Sequence, residues 1–237
     1  MAARDRLWRE KPVLRHIYHH LYARMRAACN PGTTLEIGGG TGIFKEFAPD
    51  TITTDVIAAP WLDLVADAQR LPFAAARFAN IVMFDVLHHI EYPRYFLAEA
   101  LRVLQPGGRL IMVEPAITPV SWLFYNFIHE EPVDLGADPL RQGQPSTVRD
   151  PFAANQAIPT LLVGRHRSRL AAAFPNLRLT RCTWLSLLAY PLSGGFKSWC
   201  AIPQWLVAPL LWAEDLLAPI VGRLAAFRLF VVFEKTG

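Results

Sequence analysis

The chain reads first as an alternation of short apolar runs and helical periodicities. Runs centred near Leu35, Thr53, Leu64, Ile81 and Ile111 have the length and bounding turn residues of strands. From Pro93 to Leu104 the period changes, and Phe96, Leu97, Ala100, Leu101 and Leu104 fall on one face of an amphipathic helix. Another helix is expected from about Leu7 to Ala28, stopped by Asn30-Pro31-Gly32. Between the first two strands there is room only for a short crossover helix, Ile43 to Phe47. Strands alternating with helices in this way predict an open, mostly parallel α/β sheet.

Two stretches stand outside that pattern, Pro115 to Gly164 and Leu185 to Ala226. Connections of this length in a compact domain act as lids or binding elements, so substrate choice is expected to reside there. The second contains Trp199 to Ala213, an apolar run punctuated by Pro203 and Pro209 and ending at Glu214-Asp215. That is short of the ~20 residues a spanning helix needs. Trp205, Trp212 and Leu216 share one helical face, which suits an interfacial helix, the wall of a greasy pocket or a buried cap.

Thr33 to Gly42, TTLEIGGGTG, is an apolar strand that turns acidic at Glu36 and breaks into alternating glycines. Glycine permits a tight turn whose backbone N–H groups can touch a ligand. The place where a dinucleotide fingerprint needs a final Gly or Ala holds Ile43, which disfavours NAD. Three further motifs follow in order: Thr53-Thr54-Asp55; Asp67-Ala68 with Leu71-Pro72-Phe73 in register; and Leu104-Gln105-Pro106-Gly107-Gly108 after Asp85 to His89. The series from about residue 33 to 115 resembles the class I S-adenosylmethionine-dependent methyltransferases, in particular the type 11-like branch.

That resemblance implies a single Rossmann-like, doubly wound, seven-stranded sheet with an antiparallel last strand, an N-terminal helix and two lid insertions. Residues 1–32 would form the helical cap and 33–237 the methyltransferase domain, with insertions at 115–164 and 185–226. Leu177 to Trp184 and Phe227 to Glu234 are the candidates for the closing pair of strands, after a helix from Arg165 to Phe174. The cofactor implied is S-adenosyl-L-methionine. Gly38, Gly40 and Gly42 would turn beneath its methionine part, and Glu36 would orient the loop or the amino group. Asp55 would take the ribose hydroxyls, or else cap the turn. Asp67 and Ala68 would meet the adenine, and Asp85 would lie where the fourth strand opens onto the pocket.

Methyl transfer needs in-line alignment more than a strong catalytic group, since orientation is worth up to about 7–11 kcal/mol. His88 and His89 are nevertheless candidate general bases, because imidazole titrates near neutral pH. His129, in the ionisable cluster Phe127 to Asp134, is another. His16 and His20 have the i, i+4 spacing of a metal pair but no accompanying third ligand, so no metal is expected. Packing over the cofactor mouth with Tyr18 and Tyr22 suits that helix better.

At 237 residues the chain fits one large domain. Its composition, 52% hydrophobic and 19% charged, leaves apolar surface to be used. Net charge is +4, with Arg4, Arg6, Arg9, Lys11, Arg15, Arg24 and Arg26 crowded at the N-terminus, which suits a solvated helix face or an anionic surface. Basic residues interleaved with aromatics do not recur elsewhere, so nucleic acid is not an expected partner. Cys29, Cys182 and Cys200 lack paired spacing, and the charged N-terminus lacks a secretion core, which together point to the cytoplasm with peripheral membrane contact left open. The function expected is methyl transfer to oxygen or carbon of a small or lipid-linked acceptor. The competing class is a non-catalytic cofactor-binding or membrane-docked partner protein of the same fold.

Overall fold

The computed structural model describes the backbone of all residues except 1, 129, 130, 147 and 149, and side chains from residue 6 onward. The expected N-terminal helix is two helices, α1 (Ala2–Glu10) and α2 (Pro12–Ala28). The break falls at Lys11 because a residue preceding proline is pushed out of the helical region; its φ and ψ are −110° and 88°. The Lys11 ammonium is buried and shares its three hydrogens among the carbonyls of Ser193 (2.6 Å), Gly195 (2.7 Å), Lys197 (2.9 Å) and Trp199 (3.0 Å), pinning the break to the second insertion.

Then come β1 (Thr34–Ile37), α3 (Ile43–Phe47), β2 (Ile52–Asp55), β3 (Leu64–Val65), β4 (Phe78–Phe84), α4 (Pro93–Val103) and β5 (Leu104–Pro115), in the expected places. The first insertion carries α5 (Pro119–Phe127) and α6 (Ile158–Val163), followed by α7 (Arg167–Ala173) and β6 (Leu177–Leu185). The second carries α8 (Ala189–Ser193) and α9 (Gln204–Ala225), and β7 (Arg228–Lys235) closes the sheet. The seven strands run β3-β2-β1-β4-β5-β7-β6, with β7 antiparallel to both of its neighbours.

Strand alternation divides the core between the two faces of the sheet. Ile81, Met83, Leu110 and Met112 pack with α4, α6 and α7; Val82, Ile111 and Val113 pack with α2, α3 and α9. The apolar run in the second insertion does not end at Glu214-Asp215 as its sequence suggests. Glu214 is buried and accepts the Leu188 and Ala189 amides, while Asp215 pairs with Arg24 and, at 3.2 Å, His20. With both acids engaged, α9 continues through them for 22 residues.

Candidate active site

The strand order reverses between β1 and β4, and open α/β sheets bind ligands in the crevice beyond the carboxyl ends at such a point. β1 delivers the glycine turn there. Gly38, Gly40 and Gly42 have φ of 74°, 43° and 76°, the left-handed region where a side chain is strained. Space is equally decisive at Gly38, where a Cβ would lie 2.2 Å from Val86 Cγ2. The turn is braced by Gly39 N–H donating to Thr54 O (2.9 Å) and Trp61 Nε1–H donating to Gly40 O (3.0 Å).

Asp55, at the end of β2, holds the same turn. Its Oδ2 accepts the Gly40 amide (2.8 Å) and its Oδ1 the Ile57 amide (2.9 Å). It is therefore a turn cap, and each oxygen keeps a lone pair for another donor. Asp67, beyond β3, is exposed and takes the Gln69 amide at 2.8 Å, with Ala68 half-buried beside it.

Glu36 lies beneath the turn, buried in β1. Burial, partly offset by the Thr53 hydroxyl, pushes its carboxyl up to about 7. The Thr53 hydroxyl lies near without reaching hydrogen-bond geometry, so Oε2 has no partner among the described residues, and it is the atom a Cβ on Gly39 would approach at 3.3 Å. An orphaned buried carboxylate oxygen under a side-chain-free turn is the fit expected for a ligand's cationic amino group.

Asp85 follows β4 with φ 57°, a strained conformation for a non-glycine residue. Its carboxylate pairs with Arg228, which is buried at the start of β7. The guanidinium also lies over the rings of Tyr190 (4.2 Å) and Phe84 (4.9 Å); Tyr18 of α2 meets Phe84 tilted at 4.8 Å and Tyr22 meets it edge-on at 5.3 Å. Asp85 is thus occupied by a cation of the chain itself, with the tyrosines of α2 packed beside it on Phe84. Although burial opposes its charge, Arg228 is held well above the ordinary arginine value by Asp85 and the neighbouring tyrosines.

His88 and His89 stand in the turn after Asp85, with ring centroids 4.2 Å apart, but their environments differ. His88 is buried, with Nδ1 2.8 Å from Glu114 Oε2 and Nε2 3.6 Å from Glu131 Oε2. Burial alone would lower its pKa; the two carboxylates reverse that and raise it to about 9. At neutral pH His88 is an imidazolium clamped between two acids, and so lacks the lone pair a general base needs. Glu114 also accepts the Val86 (2.9 Å) and Leu87 (2.8 Å) amides through Oε1, which fixes the turn. His89 is pushed below the ordinary histidine value by burial and by His88, and its Nδ1 is 3.4 Å from Ala153 O. It is the neutral imidazole of the pair.

The first insertion closes onto these histidines, with Asn155 N–H donating to His88 O at 2.9 Å. His129, also a candidate, lies outside the described residues. Among the described residues His88, His89 and Glu131 bring one ligand atom each within 4.8 Å of one another, a grouping the sequence did not suggest. His20 instead faces Asp215. Glu114 and Arg228 were missed from sequence. Each left the same faint signal, a single charge beside an apolar strand run.

Residues 35–112 match the family model described as methyltransferase domain. A ubiquinone/menaquinone biosynthesis C-methyltransferase, UbiE, of Bordetella parapertussis is 29% identical over 133 residues, 44% of this chain and 51% of that protein. A phthiotriol/phenolphthiotriol dimycocerosates methyltransferase of Mycobacterium ulcerans is 38% identical over 84 residues, 35% of this chain and 28% of that protein. The chain thus spans about half the length of the first of these relatives and less of the second. Among solved structures, a SAM-dependent methyltransferase of Thermotoga maritima superposes with a TM-score of 0.63, covering 98% of this chain and 96% of that one at 15% identity. That likeness shows the fold.

Proposed function

Taking residues 35–112 as a methyltransferase domain, we propose that the chain is an S-adenosylmethionine-dependent methyltransferase acting on oxygen or carbon of a small or lipid-linked acceptor. The observation that carries this is the unpartnered Glu36 oxygen beneath the left-handed glycine turn at the switch point of the sheet. When bound, S-adenosylmethionine supplies a methyl group made electrophilic by its sulfonium.

The chain's own residues divide the remaining work. Glu36 accepts the amino group's hydrogens, and Gly38, Gly40 and Gly42 keep side chains out of the way. Asp55 offers its free lone pairs to the ribose diol, and Asp67 with the Ala68 amide meets the adenine edge. Asp85, neutralised by Arg228, shapes the mouth. His89 takes the proton of the acceptor, while His88, charged and clamped by Glu114 and Glu131, positions it. Placement in a covered crevice contributes more to rate than proton transfer does.

The printed names of the curated relatives, which concern quinone biosynthesis and dimycocerosates, support an acceptor with an extended apolar part. Three free cysteines suit a reducing cytoplasm, with work done at a membrane surface.

The deciding experiment is calorimetric titration with S-adenosylhomocysteine, with NAD as control. Micromolar binding of the first alone is expected, weakened about tenfold or more in Asp55→Ala and Asp67→Ala. No binding to folded protein, or unchanged affinity in both variants, overturns the proposal.

A further inference from the structure

α9 carries its acids toward the protein and its tryptophans toward solvent. Glu214 and Asp215 are both engaged inward, as described above. Outward, Trp205, Pro209, Trp212, Leu216 and Ile220 recur at helical spacing and end at Arg223. Trp205 is 76% exposed, Trp212 67% and Ile220 79%. α5 packs against α9 and exposes Leu123 and Phe127, with Ile128 exposed just beyond its end. An apolar surface spread over two adjacent helices exceeds what single exposed residues account for.

By length and composition alone α9 could cross a membrane. Its opposite side, however, is committed to the fold: Val207, Leu211, Ala218 and Gly222 are buried, and a Cβ on Gly222 would lie 2.6 Å from Trp184 Cβ. A helix held along one side and apolar along the other can lie in an interface but cannot leave the protein to span it.

We propose that the outer face of α9 and α5 docks on an anionic lipid bilayer. Charge selects this occupant over a neutral surface. Lys197, before the helix, and Arg223, in its last turn, bracket the tryptophan stripe, and neither forms an ion pair among the described residues. No acid on α9 is left to oppose them, and the chain carries +4 overall. The docking stands independently of the function proposed above.

The test is flotation of the full chain with vesicles of phosphatidylcholine alone and of phosphatidylcholine with phosphatidylglycerol, alongside sedimentation velocity without lipid. Wild type is expected to float with the anionic vesicles and much less with the neutral ones. Trp205→Ser with Trp212→Ser should lower partitioning about tenfold or more, and Lys197→Glu with Arg223→Glu should abolish the preference for anionic lipid. Absence of flotation, unchanged flotation of the tryptophan variant, or a dimer that this variant dissociates would overturn the proposal, the last by assigning the face to a second copy. S-adenosylhomocysteine affinity, measured on the same preparations, should be unchanged in both variants. Its absence in wild type would refute the cofactor reading and leave the docking result standing.

Discussion

If Glu36 receives the cofactor's amino group, affinity must depend on pH through that one carboxyl. In the free protein its pKa lies at about 7, raised chiefly by burial. An ammonium beside Oε2 favours the ionised form and returns the pKa toward or below the carboxylate range. Binding then takes up the deprotonated state alone. The ionised fraction is about 90% at pH 8 and about 10% at pH 6, so affinity should fall about tenfold between them, roughly 1.4 kcal/mol per unit once below the pKa. The assay is calorimetry with S-adenosylhomocysteine across that range. A His89→Gln background removes the other imidazole that titrates on the acid side, and His88, at about 9, stays protonated throughout. Glu36→Gln should bind weakly and without slope. A flat wild-type profile, or a Glu36→Gln variant of undiminished affinity, refutes the assignment.

Two further outcomes follow from the same site. Gly38→Ala combines a φ of 74° with a 2.2 Å approach to Val86, and should cost about 2 kcal/mol or more in urea unfolding while abolishing cofactor binding; adding Val86→Ala should recover part of the stability but not the strain. His88 has a folded pKa of about 9 against ~6.5 unfolded, so its contribution is fully present below about pH 6.5 and is lost as pH rises through about 9. Over that window wild type should lose about 3 kcal/mol relative to His88→Gln, whose profile should lack this slope in urea melts at each pH.

What could be read from sequence was local. Short apolar runs bounded by turn residues located β1, β4 and β5, because a strand covered on both faces is apolar along its length. The glycines were legible because a left-handed turn is solved within a few residues, whereas the bond by which Asp55 holds that turn joins residues 15 apart on neighbouring strands. The proline at 12 was equally visible, yet the break it imposes went unread beneath a continuous helical period.

What escaped the sequence was the identity of partners. Asp85 looked like a ligand-facing acid, and only the return of β7 beside β5 puts Arg228 against it, 143 residues away. His88 and His89 are the same residue type in adjacent positions. One becomes a cation because β5 delivers Glu114 to its Nδ1 and the first insertion delivers Glu131 near its Nε2, and the other, half-buried and without such a partner on its ring, stays neutral. Glu214 and Asp215 looked like the end of an apolar helix until the Leu188 and Ala189 amides and the side chains of Arg24 and His20 took them up. The sequence by itself determined backbone conformation and the alternation of faces, since those depend on near neighbours. Tertiary structure alone decided which charges are compensated, since desolvation and pairing depend on what the fold brings within a few ångströms.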